Sequence, residues 1–131
     1  VIIEAPGFLP SLSAYKNLDY LASLRGVIGK EQIRSAISAV GLDPDDKKHV
    51  GKYSLGMKQR LGIAQAIMED PDILILDEPM NALDKSGVAE IRELLLRLKG
   101  EGKTILIVSH NPEDIHMLCD TVHEMDGGKL C

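Results

Sequence analysis

The sequence predicts an α/β fold with a parallel sheet, preceded by a segment that is helical throughout. Three observations carry this expectation. The runs "ILIL" (73–76) and "TILIV" (104–108) are short and unbroken in their aliphatic character, the pattern of strands covered on both faces in a parallel sheet. Between them Val88, Ile91, Leu95 and Leu98 fall on one helical face, so strand, helix and strand alternate. From about Ala14 to Ala66, by contrast, the apolar spacing is that of helices.

Each element follows from local pattern. The chain opens on "VIIE", a strand-like run that starts at Val1 without an initiator methionine and reads as part of something longer. In the helical segment Leu18, Leu21 and Ala22 share one face, and Ile33, Ile37 and Val40 share another that Gly41 closes. "DPDDKK" (43–48) is a polar loop. Met57, Leu61, Ala64 and Met68 line a third helix, with Ser54 as its cap. "NALD" (81–84) turns the chain into the 88–98 helix, with Asp84 or Ser86 as cap and Gly100 at its end. After the second strand "NPED" supplies an N-cap (Asn111), a proline at the first helical position and acids in the first turn, for a helix to about Cys119. "TVHEM", "DGG" and "KL" read as a strand, a tight turn and a returning strand. A helical lobe and a sheet lobe are therefore expected, and no internal repeat is visible.

Bulk properties narrow the function classes. The 131 residues fit one domain of the usual roughly 100–200 residues. A net charge of -5 gives no basic footprint for nucleic acid. Cys119 and Cys131 form neither a metal-ligand spacing nor a disulfide framework, which favours a reducing cytosol. No apolar run approaches the ~20 residues that span a bilayer, and no signal peptide is visible.

Four short motifs could carry chemistry. "ILILDEP" (73–79) runs a buried strand into two adjacent carboxylates, which is costly unless a cation or a transferable proton sits opposite them. Ligands of open α/β sheets bind outside the carboxyl ends of the strands, where Asp77 could hold a magnesium–phosphate group and Glu78 could orient or deprotonate a water. The ordinary alternative is a strand ending in a polar turn. "TILIVSH" delivers Ser109 and His110 to the same edge, where a histidine can contact a phosphate or serve only structure. "YSLGMKQR" (53–60) sets a serine and a glycine before a helix whose free N–H groups attract anions, or forms a plain cap. "NALD" (81–84) could be no more than a turn. His49, His116 and His123 have no such placement.

In this order and spacing, the four motifs resemble those of the ATP-binding-cassette (ABC) ATPases, the nucleotide-hydrolysing subunits of ABC transporters, over nearly the whole chain. "YSLGMKQR" resembles the signature motif, with Ser54 and Gly56 matching its serine and second glycine. "ILILDE" resembles the Walker B motif, "NALD" the D-loop, and Ser109–His110 the switch-histidine region. "VIIEAPGFLPSLSAYKNL" resembles the Q-loop and the segment after it, with Glu4 where most members have glutamine. Met57 stands where the signature usually has glutamine, and Leu55 where it usually has glycine. The combination of "GFLPSLSAYKNL" and "YSLGMKQRLGIA" resembles the bacterial subfamily that exports or protects against peptide antibiotics such as bacitracin and lantibiotics, in which both the signature variant and Glu4 are ordinary.

The resemblance implies a P-loop NTPase-type fold divided into residues 1–9 (the end of a core strand and the Q-loop), 10–70 (a helical subdomain with the signature) and 71–131 (an α/β core portion). It implies ATP and Mg2+ as ligands. Two cassettes would pack head to tail, Ser54 and Gly56 of one reaching the γ-phosphate held by the other. Asp77 would orient the metal's shell, Glu78 would act as general base, and His110 would contact the γ-phosphate. Asp84 would signal across the dimer, and Glu4 would sense γ-phosphate or metal. A transmembrane permease would be the second partner, with the chain on the inner face of the cell membrane. The phosphate-cradling pattern G-x-x-x-x-G-K-[ST] does not occur in the sequence, so the chain is expected to be inactive alone and to self-associate. Two other classes remain compatible: a soluble ABC ATPase acting on the ribosome or DNA, and a non-catalytic interaction fragment.

Overall fold

A computed structural model describes residues 2–3, 8–25, 29–109, 123–125 and 128–130. In chain order they form β1 (Ile2–Ile3), α1 (Ala14–Arg25), α2 (Lys30–Ala39), a 3-10 turn (Val50–Lys52), α3 (Leu55–Ile67), β2 (Ile73–Asp77), α4 (Lys85–Gly100), β3 (Thr104–Ser109), β4 (His123–Met125) and β5 (Gly128–Leu130). The helix expected over 111–119 lies outside the described residues.

The sheet order is β1-β2-β3-β5-β4. β1, β2 and β3 are parallel, with Ile75 opposite both Ile2 and Leu106. β5 returns antiparallel to both β3 and β4. The sheet is therefore mixed at one side, because the "DGG" connection is too short for the crossover that a parallel neighbour requires. Residues of one row on neighbouring strands share a face, and among the described residues one face is buried more deeply: Leu74, Leu76 and Ile107 are buried and Ile105 half-buried, while on the other Ile75 and Leu106 are half-buried and Ile73 is exposed. Complete cover on both faces, as the aliphatic runs suggested, is not what these residues show.

The helices end as their sequences dictate. α2 closes with Gly41 at φ +83°, Gly41 N donating to Ser38 O and Leu42 N to Ile37 O, a Schellman motif that satisfies the last carbonyls. α4 ends at Gly100, but the left-handed residue is Gly102 (φ +91°), with Gly102 N on Lys99 O and Lys103 N on Leu98 O. Arg97 and Lys99 stand in its last turn, where cations complement the helix dipole. α1 packs on α2, α2 on α3, and α3 on β1 and β2. Held between helix and sheet, α3 buries Leu61, Ile63, Ala64 and Ala66, more than one stripe of its surface. The helical and sheet residues share one core, in which Leu18, Ile37, Leu61, Ile63, Leu74 and Ile91 are fully buried.

Candidate functional site

The carboxylate pair sits at the carboxyl end of β2, beside that of β3. Asp77 is the last residue of β2 and lies opposite Val108. Glu78 extends the ladder by one bond, its N–H donating to Val108 O at 2.8 Å, and then turns sharply with φ +48°. A non-glycine residue in this left-handed region is under strain of about 1–3 kcal/mol and persists only where its surroundings over-determine it. Here the Nε2 group of Gln59, on α3, donates to the carbonyls of both Glu78 and Pro79 at 3.1 Å. Asn81 N also donates to Glu78 O, at 3.1 Å. Ser109, buried at the end of β3, brings Oγ to 3.5 Å from Glu78 Oε2. Alternation along the strand therefore does not fix where Glu78 points; the left-handed turn does.

The second cluster gathers at the start of α3. Ser54 is its N-cap, with Oγ accepting from Met57 N at 3.1 Å. Tyr53, just before it, is buried, and burial pushes its phenol above the ordinary value, with Asp46 and Asp43 adding to the effect. Gly56 lies against the "NALD" turn so closely that a Cβ there would stand 2.9 Å from Ala82 O. Ala82 is itself left-handed at φ +64°. Asp84 caps α4 through Oδ1, which accepts from Gly87 N at 2.7 Å, which settles the choice between Asp84 and Ser86. Ser54, Gly56, Met57, Ala82 and Asp84 line one open cleft of about 580 Å³. At its wall Arg60 bonds Val40 O at 3.1 Å and pairs with Glu90 Oε2 at 2.6 Å, tying α2, α3 and α4 together. Leu55, at the first helical position, projects into solvent.

The structure thus brings Ser54, Gly56 and Asp84 to one cleft and sets Asp77 and Glu78 at the strand ends. Glu4 and His110 lie outside the described residues. Gln59, Arg60 and Asn17 did not emerge from the sequence as site or scaffold residues. The available signal for the first two was the polar run Lys58-Gln59-Arg60 interrupting a largely apolar helix. As a donor set, Asp77 offers the hard oxygen ligand that Mg2+ accepts, and this metal typically takes one or two carboxylates and completes its shell with phosphate and water. Among the described residues no helix is long and apolar enough to cross a membrane.

Comparison with known proteins places this architecture. It overlays on the dimeric structure of MJ0796, a bacterial ABC transporter cassette, with a TM-score of 0.77, covering 88% of this chain and 54% of that one at 23% identity, a likeness of fold. The ABC transporter family model matches residues 1–81: the chain belongs to the ABC transporter family. It is 49% identical over 130 residues to the ABC transporter ATP-binding protein YybJ of Bacillus subtilis, covering 99% of this chain and 60% of that protein. It is also 49% identical to the bacitracin transport ATP-binding protein BcrA of Enterococcus faecalis, covering 98% of this chain and 42% of that protein. To the lantibiotic transport ATP-binding protein SrtF of Streptococcus pyogenes it is 43% identical, covering 98% and 56%. The chain spans about half the length of the curated relatives it matches.

Proposed function

We propose that this chain supplies the water-activating half and the signature half of an ATP-hydrolysing ABC transporter subunit. The observation that carries the reading is the placement of Asp77 and Glu78 at the carboxyl ends of parallel strands, with Glu78 turned out of the ladder by its left-handed backbone. That edge is where open α/β sheets receive ligands. Magnesium–ATP brings the phosphoanhydride to be cleaved; Asp77 orients the shell of the cation and Glu78 takes the proton of the attacking water. Ser54 and Gly56 offer the amino end of α3 to the γ-phosphate of a second cassette, where N–H groups and the helix dipole favour negative charge. Asp84, across the same cleft, carries the dimer signal, while Glu4 and His110 meet the γ-phosphate, Glu4 also on the metal side.

Residues 10–70 form the helical subdomain that docks on a transmembrane permease, and residues 1–9 and 71–131 belong to the catalytic core. The likeness to bacitracin and lantibiotic transport proteins supports export of a peptide antibiotic or similar amphiphile, from a position on the inner face of the cell membrane. The 131 residues alone do not turn over ATP, because the sequence holds no G-x-x-x-x-G-K-[ST] loop to cradle the phosphates; exposed apolar edges and faces of the sheet make them self-associate.

The test is magnesium–ATP binding and hydrolysis by this chain beside a version extended N-terminally to include a G-x-x-x-x-G-K-[ST] loop. Binding and turnover by the extended protein alone is expected. Micromolar ATP binding by the short chain would contradict the division of the site.

A further inference from the structure

We infer that Gln59 is a positioning residue for Glu78, so that α3 controls the general base of its own subunit as well as the phosphate of its partner's. The inference rests on the reading of Glu78 as general base. The geometry behind it is local. Gln59 Nε2 carries two hydrogens, and it meets two acceptors, Glu78 O and Pro79 O, each at 3.1 Å. Because both partners are carbonyls, the amide orientation follows from the network: the nitrogen faces the loop. Pro79 has no N–H of its own, and the Glu78 N–H is already engaged by Val108 O at 2.8 Å. The strained φ of +48° at Glu78 is therefore held from two sides: from β3 through its N–H, and from α3 and Asn81 N through its carbonyl.

Gln59 lies five residues beyond Ser54 on the same helix. Any displacement of the amino end of α3, whether by the turn at Ala82 that it abuts or by a second cassette, reaches the peptide planes on either side of the base through one side chain. An error of about 1 Å in the placement of a reacting group can cost about 100-fold in rate, so a lever of this length suffices to switch the base on or off. The two bonds of Gln59 are to backbone carbonyls, so the control passes through the backbone.

The experiment uses the N-terminally extended chain. Gln59→Leu keeps the size of the side chain and removes both donors, Gln59→Glu keeps its length and turns a donor into a carboxylate, and Gln59→Lys restores donors. Gln59→Leu and Gln59→Glu are expected to lower kcat about 10- to 100-fold with KM for ATP unchanged, and to move the carbonyl 13C resonances of Glu78 and Pro79. Gln59→Lys is expected to recover most of the loss. The split between kcat and KM, and the rescue, separate positioning from a general loss of stability. Should Glu78→Gln abolish turnover while Gln59→Leu and Gln59→Glu leave kcat intact, the positioning role is overturned and the proposed function stands. Should turnover survive Glu78→Gln, the reading of Glu78 falls, and this inference with it.

Discussion

Asn17 shows how much one buried amide can organise. It is 2% exposed. Its Oδ1 accepts from Leu9 N at 2.7 Å, while Nδ2 reaches Leu9 O, Leu12 O and Ser13 O at 3.0–3.3 Å. The segment it holds, residues 9–13, bonds onward to the approach to α3 through Val50 N on Leu12 O and Gly51 N on Pro10 O. Asn17→Ala removes these four bonds and takes from Leu9 N its side-chain acceptor, while the three carbonyls keep their backbone donors. It should destabilise the chain by about 1–3 kcal/mol, measured as a shift of the urea midpoint. Asn17→Asp should not rescue it, because a carboxylate cannot donate to the three carbonyls. Residues of this kind are hard to read in a sequence. The partners of Gln59 are carbonyls 19 and 20 positions away, and a backbone acceptor leaves no trace in residue type. The Asp77–Glu78 pair was legible for the opposite reason: two charges after a buried run conflict with their surroundings in the sequence itself.

At the scale of elements, periodicity recovers the helices and strands better than it recovers their surroundings. One stripe of α3, Met57, Leu61, Ala64 and Met68, was readable; Leu61, Ala64 and Met68 are buried and Met57 is half-buried. Ile63 and Ala66 lie off that stripe and are buried as well, because α3 meets α2 on one side and the sheet on another; a hydrophobic pattern shows that a face is apolar, not which neighbour covers it. Ile63→Ala tests this. Ile63 is fully buried, so the substitution should cost about 2–5 kcal/mol, against a few tenths for Leu55→Ala at the exposed first position, by thermal or urea unfolding. The hairpin of β4 and β5 was readable from its turn residues, whereas the insertion of β5 between β3 and β4 was not. Strand order depends on which edge is free, and local pattern carries no information about that.

For the whole molecule, the residues proposed to carry function fall into two groups. Ser54, Gly56 and Asp84 open onto one cleft, while Asp77 and Glu78 stand at the end of β2, and the proposed head-to-tail pair of cassettes would use both groups. A cyclic two-fold pair uses both at once and closes. The most direct test of this arrangement is the solution mass of the N-terminally extended chain carrying Glu78→Gln, measured by light scattering with and without magnesium–ATP. Glu78→Gln removes the base and leaves the surfaces intact, so the nucleotide-bound pair should persist. The account predicts that the mass doubles on addition of magnesium–ATP and that Ser54→Arg, which fills the cleft, prevents the doubling. A mass that ignores the nucleotide, or a doubling that Ser54→Arg leaves untouched, would contradict it.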